Sequence, residues 1–301
     1  MKVIISGASG FIGTSLSNFL SNKGYDVWRL TREEPKQDKE IFWDPYRKIV
    51  ETKKLDGANV FINLSGENIG KGIWTNRRKE ILINSRIVPS KFLVETIKYL
   101  PIRPKFYFTA SAIGIYGPTA NNIMSENCPY GNGFLANLCK EWEKTVESLR
   151  HTEVKTVIMR FGVVLGPHGG MLSYLLKIFS LYLGGIVGDK NSYISWISID
   201  DVCEAIHFLI QKDKILGGPY NFVSPNSITQ KELTKVLSEA LGKPAIFKVP
   251  TFVIKTILGE MGKELILANQ AVYPDKLLKE GYEFRYNELS KYLENILSKG
   301  P

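Results

Sequence analysis

Met1-Lys2-Val3-Ile4-Ile5-Ser6-Gly7-Ala8-Ser9-Gly10-Phe11-Ile12-Gly13 opens the chain. The apolar run Val3 to Ser6 has the length and composition of a strand buried on both faces. Glycines follow it at once, and then Phe11, Ile12, Leu16, Phe19 and Leu20 recur at helical spacing. Gly24 is placed to end that helix, because glycine adopts the left-handed conformation without cost. Strand, G-x-x-G-x-x-G turn and helix together form the context that a dinucleotide loop requires. Gly7 permits the tight turn, Gly10 lets backbone N–H groups reach a pyrophosphate, and Gly13 lets the helix pack closely on the strand. The free N–H groups and dipole of the helix start then stabilise the anion.

The pattern repeats downstream. Asp26 to Leu30, Val60 to Leu64, Phe106 to Ala110 and Val154 to Met159 read as strands. Helices are expected over Arg77 to Lys98 and Phe134 to Leu149, the second with Leu135, Leu138, Trp142, Val146 and Leu149 on one face. This alternation predicts a Rossmann-type, doubly wound parallel α/β sheet. Residues 1–165 form the core of the NADP-binding domain, with interleaved segments reaching about residue 225. Residues 166–301 form a smaller α/β substrate-side region, whose last part covers about 245–295. Thr229 and Glu232 have the spacing of a capping box, and Pro244, Pro250 and Pro274 punctuate the tail. No linker or repeat separates the halves, so one compact unit is expected.

The end of the second strand selects the cofactor. An acid there hydrogen-bonds the ribose of NAD, whereas an arginine pairs with the extra phosphate of NADP. The sequence gives Thr31-Arg32, followed by Glu33 and Glu34. Arg32 offers bidentate donors, so NADP (NADPH) is favoured, with NAD as the alternative.

Bulk properties narrow the function classes. The 301 residues are 44% hydrophobic and 23% charged, ordinary values for a globular protein. The initial apolar run is too short for a signal peptide, and no run is long enough to span a bilayer. A cytoplasmic protein, with no membrane partner, is expected. The net charge is +9, but its densest cluster, Arg77-Arg78-Lys79, matches no nucleic-acid motif. It reads as a solvated helix face, and no nucleic-acid partner is expected. Cys128, Cys139 and Cys203 lack the spacing of a disulfide framework or zinc site, so no metal is expected. His207, inside an apolar helical pattern, reads as a packed residue.

Several motifs carry a family resemblance. They are the loop itself, Asn63-Leu64-Ser65-Gly66, Thr109-Ala110-Ser111-Ala112, Tyr116-Gly117, Arg160-Phe161-Gly162-Val163-Val164-Leu165-Gly166 and Trp196 to Val202. The chain resembles an extended short-chain dehydrogenase/reductase. More narrowly, Gly66-Glu67-Asn68-Ile69, Trp74-Thr75, Ser85-Arg86, Trp142-Glu143 and Gly259-Glu260-Met261 resemble an atypical sugar-nucleotide epimerase subfamily with its own C-terminal domain. The resemblance implies cofactor contacts at Gly7, Gly10, Phe11, Ile12, Gly13, Thr31, Arg32, Leu64, Ser65, Gly66, Arg86, Ser111 and Val163.

Enzymes of this type use a Ser, a Tyr and a Lys four residues after the Tyr for proton transfer. None of the 14 tyrosines has that lysine. Aligned on Trp142-Glu143, Leu135 stands at the Tyr position and Cys139 at the Lys position. The catalytic candidates are therefore Ser111, Tyr116 and Cys139, with Tyr130 a looser one. Cys139 packs as a small residue unless its pKa is lowered. Asp200 and Asp201 read as helix caps, Asn221 as a strand-end residue, and Trp196 as either core or cleft. Two functions remain open. One is an NADP-dependent epimerase or reductase of a small, nucleotide-linked or carbonyl substrate. The other is a cofactor-binding sensor without turnover. Either a monomer or a homodimer is compatible.

Overall fold

The computed structural model describes residues 1–118 and 122–298. Eight strands form the main sheet: β1 Lys2–Ser6, β2 Asp26–Thr31, β3 Glu40–Asp44, β4 Ile49–Val50, β5 Val60–Asn63, β6 Phe106–Ala112, β7 Lys155–Phe161 and β8 Gly218–Phe222. Their order is β8-β7-β6-β5-β1-β2-β3-β4. All neighbours are parallel except β3 and β4. The chain leaves β1 in one direction for β2 and β3, then returns to the other side for β5. The crevice beyond the ends of β1 and β5 is thus the switch point where such sheets bind ligands.

Alternation within the strands builds two cores. Val3, Ile5, Val60, Ile62, Phe106 and Phe108 face one way. There they meet Leu16 and Leu20 of α1 (Phe11–Asn22) and Val202, Ile206 and Leu209 of α5 (Ile199–Gln211). Ile4, Phe61 and Tyr107 face the other way, against Phe92, Leu93 and Ile97 of α2 (Asn76–Tyr99). Each such buried side chain contributes about 1.5–3 kcal/mol.

The helix expected over 134–149 is shorter. As α3 it runs Phe134–Lys144, and a 3-10 turn covers Glu147–Leu149. Thr145 is the cause: its Oγ1 donates back to the Trp142 carbonyl at 2.6 Å, which offers the backbone an alternative to continuing the helix.

A third cluster lies C-terminal. It gathers Leu172 and Phe179 of α4 (Gly170–Ser180), Leu233 and Leu237 of α6 (Gln230–Leu241), and Leu289 and Leu293 of α9 (Leu289–Ser298). Trp196, fully buried, is part of this core, stacked on Tyr292, and does not line a cleft. Thr229 and Glu232 form the expected capping box of α6. The expected cap of α5 is different. Ser198 caps that helix, and the fully buried Asp201 carboxylate instead accepts from Ser198 Oγ, Tyr282 Oη and the backbone N–H groups of Arg285 and Tyr286. A charge that deep persists only with several donors, and here they fasten residues 282–286 to the sheet's own helix layer.

Two α-helices follow α6 before α9, α7 Thr251–Met261 and α8 Asp275–Lys279, with a π-helical turn over Gly262–Ile266 between them. Among the described residues no helix is long and apolar enough to cross a membrane.

Candidate functional site

The glycine loop is built as an anion cradle. Gly7 has φ +71°, and a Cβ there would lie 2.6 Å from the backbone C and O of Leu64. A Cβ on Gly13 would lie 2.2 Å from the Gly7 carbonyl oxygen. Gly10 N donates to Gly7 O at 3.1 Å and closes the turn. Gly10 also stands at the start of α1, where no side chain caps the helix and no acid occupies the first turn. The orphan N–H groups and the positive end of α1 therefore face outward, as a bound anion requires. Phe11 is wedged against Gly166 and Gly169, where a Cβ would strike its ring at 2.6 and 2.5 Å. Ile12 and Leu64 pack on the main core.

Beneath the cradle lies a buried polar network. Ser6 Oγ donates to Asn63 Oδ1 at 2.8 Å, and Ser65 N donates to the same oxygen at 3.1 Å. Asn63 Nδ2 donates to Ser90 Oγ, which also accepts from Trp142 Nε1, both at 2.8 Å. Asn63 thus ties the ends of β1 and β5, α2 and α3 together across the switch point.

Thr31 ends β2, and its Oγ1 accepts from Glu33 N at 3.2 Å. Arg32 is exposed at the same edge. Gly66 lies against the Arg86 side chain. Arg86 donates to the Leu82 and Glu67 carbonyls at 3.0 and 2.9 Å and stacks on Trp142. Burial pulls its guanidinium down to about 10, and its donors already hold the 66–67 loop. Val163 packs with the C-terminal cluster around Trp196. The Arg77-Arg78-Lys79 cluster is not a purely solvated face. Arg78 pairs with Glu67 at 3.5 Å, and Lys79 pairs with Glu260.

One catalytic candidate, Ser111, stands on a register row that a second, Tyr116, joins through hydrogen bonds. Ser111 of β6 lies opposite Arg160 of β7, which lies opposite Asn221 of β8. Ser111 Oγ donates to Glu143 Oε1 at 2.7 Å. Arg160 clamps the same carboxylate with two 2.8 Å bonds and is itself fully buried. Its third group donates to Tyr116 Oη at 2.8 Å, and Tyr116 donates onward to Asn221 Oδ1 at 2.8 Å. Burial works against the Arg160 charge, but the Glu143 contacts outweigh it and hold the guanidinium above its usual pKa.

Tyr116 is committed to this closed network. Burial, opposed by Arg160, pushes its phenol up to about 12, so it is poorly suited to exchange a proton near neutral pH. Tyr130 is half exposed, with Arg160 over its ring at 5.4 Å. Cys139 is buried, and burial followed by the Glu143 charge pushes its thiol up to about 11. A nucleophilic cysteine needs the opposite shift. Iodoacetamide on the native protein is accordingly expected to label Cys128, the one partly exposed cysteine. Cys139 and Cys203 should label only after unfolding. Peptide mass spectrometry reads this, and rapid native labelling of Cys139 would contradict the burial argument.

One further contact comes from the tail. Glu264 accepts from the Phe134 and Leu135 N–H groups at 3.0 and 2.9 Å, and so caps α3 from the C-terminal region. Glu143, Arg160, Asn63 and Glu264 are the site residues that sequence reasoning left without a role.

With this geometry in view, three comparisons are informative. The description "NAD dependent epimerase/dehydratase family" matches residues 3–222, and a domain of unknown function matches residues 249–296. An epimerase family protein of Mycobacterium leprae is 32% identical over 97% of this chain and 94% of its own length. The human epimerase family protein SDR39U1 is 30% identical over 99% of this chain and all of its own length. A crystal structure of that human protein with NADPH superposes with a TM-score of 0.91 at 28% identity, covering 99% of both chains. A nucleoside-diphosphate sugar epimerase of Corynebacterium glutamicum superposes with a TM-score of 0.81 at 31% identity, over 99% of this chain and 58% of that one. A cradle at a switch point, a matched family domain over most of the chain and a shared tail domain have one explanation: the chain belongs to the NAD dependent epimerase/dehydratase family.

Proposed function

We propose that this protein is an NADP(H)-dependent oxidoreductase acting at a hydroxyl or carbonyl carbon of a small substrate. The observation that carries the reading is the uncapped start of α1, held close to the loop by Gly13 while Gly7 brings the loop against Leu64, neither glycine leaving room for a side chain. The human relative's structure with NADPH supports the cofactor, and the exposed Arg32 supports the phosphorylated form. When bound, the dinucleotide supplies or accepts the hydride. The chain's own residues position the other reacting group. Ser111 Oγ–H donates to Glu143, so its lone pairs are acceptors for a substrate hydroxyl. Glu143, held by Arg160, fixes the Ser111 rotamer. Tyr116 is a positioning residue that holds Arg160 from the far side.

A second reading, a cofactor-binding protein without turnover, has one observation in its favour. Leu135 and a protonated Cys139 stand where proton-transfer groups are usual in this fold. One assay separates the two. NADPH and NADH are titrated into wild type, Arg32→Ala and Ser111→Ala, and each protein is screened against carbonyl compounds and nucleotide sugars. Arg32→Ala is expected to weaken NADPH by about tenfold or more while sparing NADH, since a charge-assisted contact contributes ~1.5–3 kcal/mol. Ser111→Ala is expected to bind NADPH normally and lose turnover. Tight NADPH binding with no turnover of any substrate by wild type would favour the sensor. Unchanged NADPH affinity in Arg32→Ala would remove Arg32 from the cofactor site.

A further inference from the structure

Nine of the twenty-two exposed large apolar side chains among the described residues fall in two short segments. Tyr174, Ile178, Leu181, Tyr182 and Leu183 lie on α4 and the turn after it. Ile246, Phe247, Phe252 and Ile257 lie on the strand Phe247–Val249, at its edge, and on α7. The two segments are adjacent. Gly185–Val187 pairs in parallel with Phe247–Val249. Phe247 N donates to Gly184 O at 3.2 Å, and the Lys243 ammonium lies 4.1 Å from the Tyr182 ring centroid. Within α7, a helix rich in Phe, Val, Ile and Leu, only Met261 is buried. Monomeric proteins rarely leave a large apolar patch in water unless something covers it.

The charge on this face says what would cover it. Residues 170–188 and 240–259 contain Lys177, Lys243, Lys248 and Lys255 and no Asp or Glu. Of the acids that flank them, Glu239 pairs with Lys235, Glu260 pairs with Lys79 and Glu264 holds α3, while the exposed Asp189 accepts from the Asn191 N–H. A second copy fits poorly. A two-fold contact would set these four lysines against the same patch of the other copy, with Asp189 the one adjoining exposed carboxylate not paired with a lysine to meet them. A globular protein partner also fits less well, since lysine is depleted at such interfaces. Aromatic and aliphatic side chains beside exposed lysines, here Lys177, Lys248 and Lys255, are the composition of a surface lying in a bilayer interface.

We propose that this face is a peripheral docking surface for anionic phospholipid membranes. Leu181, Leu183, Phe247 and Phe252 enter the boundary between headgroups and acyl chains, and the lysines meet the lipid phosphates. The contact is peripheral and needs no spanning helix, and it does not depend on the proposed reaction.

The test uses the full chain, sedimented with vesicles of phosphatidylcholine alone or mixed with phosphatidylglycerol. Wild type is expected to bind the mixed vesicles at least ~tenfold more tightly, because each lysine near an anionic surface contributes on the order of 1 kcal/mol. Added salt should weaken that binding. The double variant Phe247→Glu/Phe252→Glu should lose it by ~tenfold or more with an unchanged melting temperature, because both side chains are exposed. No binding to either vesicle, equal binding to both, or full binding by the double variant would overturn the proposal. So would sedimentation velocity showing a dimer that the double variant disperses, which would assign the face to a second copy.

Discussion

Glu143→Ala is expected to lower the unfolding free energy by about 3–5 kcal/mol, because it strands a fully buried Arg160 without its counter-charge. Three elements depend on that carboxylate. It accepts from Ser111 on β6 and from Arg160 on β7, and it is itself carried by α3. The remaining partners of Arg160, the Tyr116 hydroxyl and the Glu126 carbonyl, are neutral and cannot balance a cation in a low-dielectric interior. A urea titration of the single variants and of Glu143→Ala/Arg160→Met makes the test specific. The double variant has no buried unpaired cation, so it should be destabilised by at least ~1 kcal/mol less than the sum of the two singles. Additive losses would mean that the pair is not coupled, and a Glu143→Ala cost within experimental error would mean that Arg160 finds other compensation. The same variants bear on function. If Glu143 orients Ser111, Glu143→Gln should hold the fold better than Ala, since one acceptor oxygen remains, yet still disturb turnover.

This network also marks where the sequence was legible and where it was not. The strand alternation is written plainly in residues 1–160. Val3 and Ile5 oppose Ile4, and each takes the face that its period assigns. The dinucleotide loop is equally plain, because its glycines are demanded by contacts within ten residues of sequence or at the adjacent strand end. The strands β3 and β4 escaped notice because Glu40–Asp44 and Ile49–Val50 are short edge elements of mixed polarity. The Ser111-Arg160-Asn221 row escaped for a different reason. It needs the order and register of three strands that together span more than a hundred residues of sequence. A weak signal did exist: Arg160 is a lone charge in the apolar run Val157 to Phe161, and Glu143 sits four residues after Cys139 on the buried face of α3. Buried opposite charges rarely stand alone, so the two could have been paired. Asp201 makes the same point. Its position near a helix start suggested capping, a local role, while four donors, three of them from residues 282–286, show a long-range one.

Gly13→Ala and Gly10→Ala are expected to separate the two demands that the loop meets. At Gly13 an added Cβ would sit 2.2 Å from the Gly7 carbonyl oxygen and 2.7 Å from the Ala8 Cα. Both are backbone atoms fixed by the turn, so α1 must move away from β1. Overpacking of this kind costs about 1–3 kcal/mol, and the displaced helix start no longer aims its N–H groups at the pyrophosphate position. Gly13→Ala should therefore lower both the unfolding free energy and the NADPH affinity, the latter by at least ~tenfold. Gly10 differs. Its φ is −77°, open to any residue, and its nearest neighbour to an added Cβ is Gly7 O at 3.4 Å, an ordinary contact. The fold itself tolerates alanine there. What Gly10 provides is room for a ligand against the backbone, so Gly10→Ala should melt like wild type while binding NADPH several-fold more weakly. Thermal unfolding without cofactor and a fluorescence titration with NADPH read the two quantities independently. Should Gly10→Ala bind NADPH as wild type does, the pyrophosphate does not approach that residue and the cradle as drawn is wrong. Should Gly13→Ala melt unchanged, α1 has slack that its 2.2 Å approach denies, and the close packing of loop on helix is not what fixes the site.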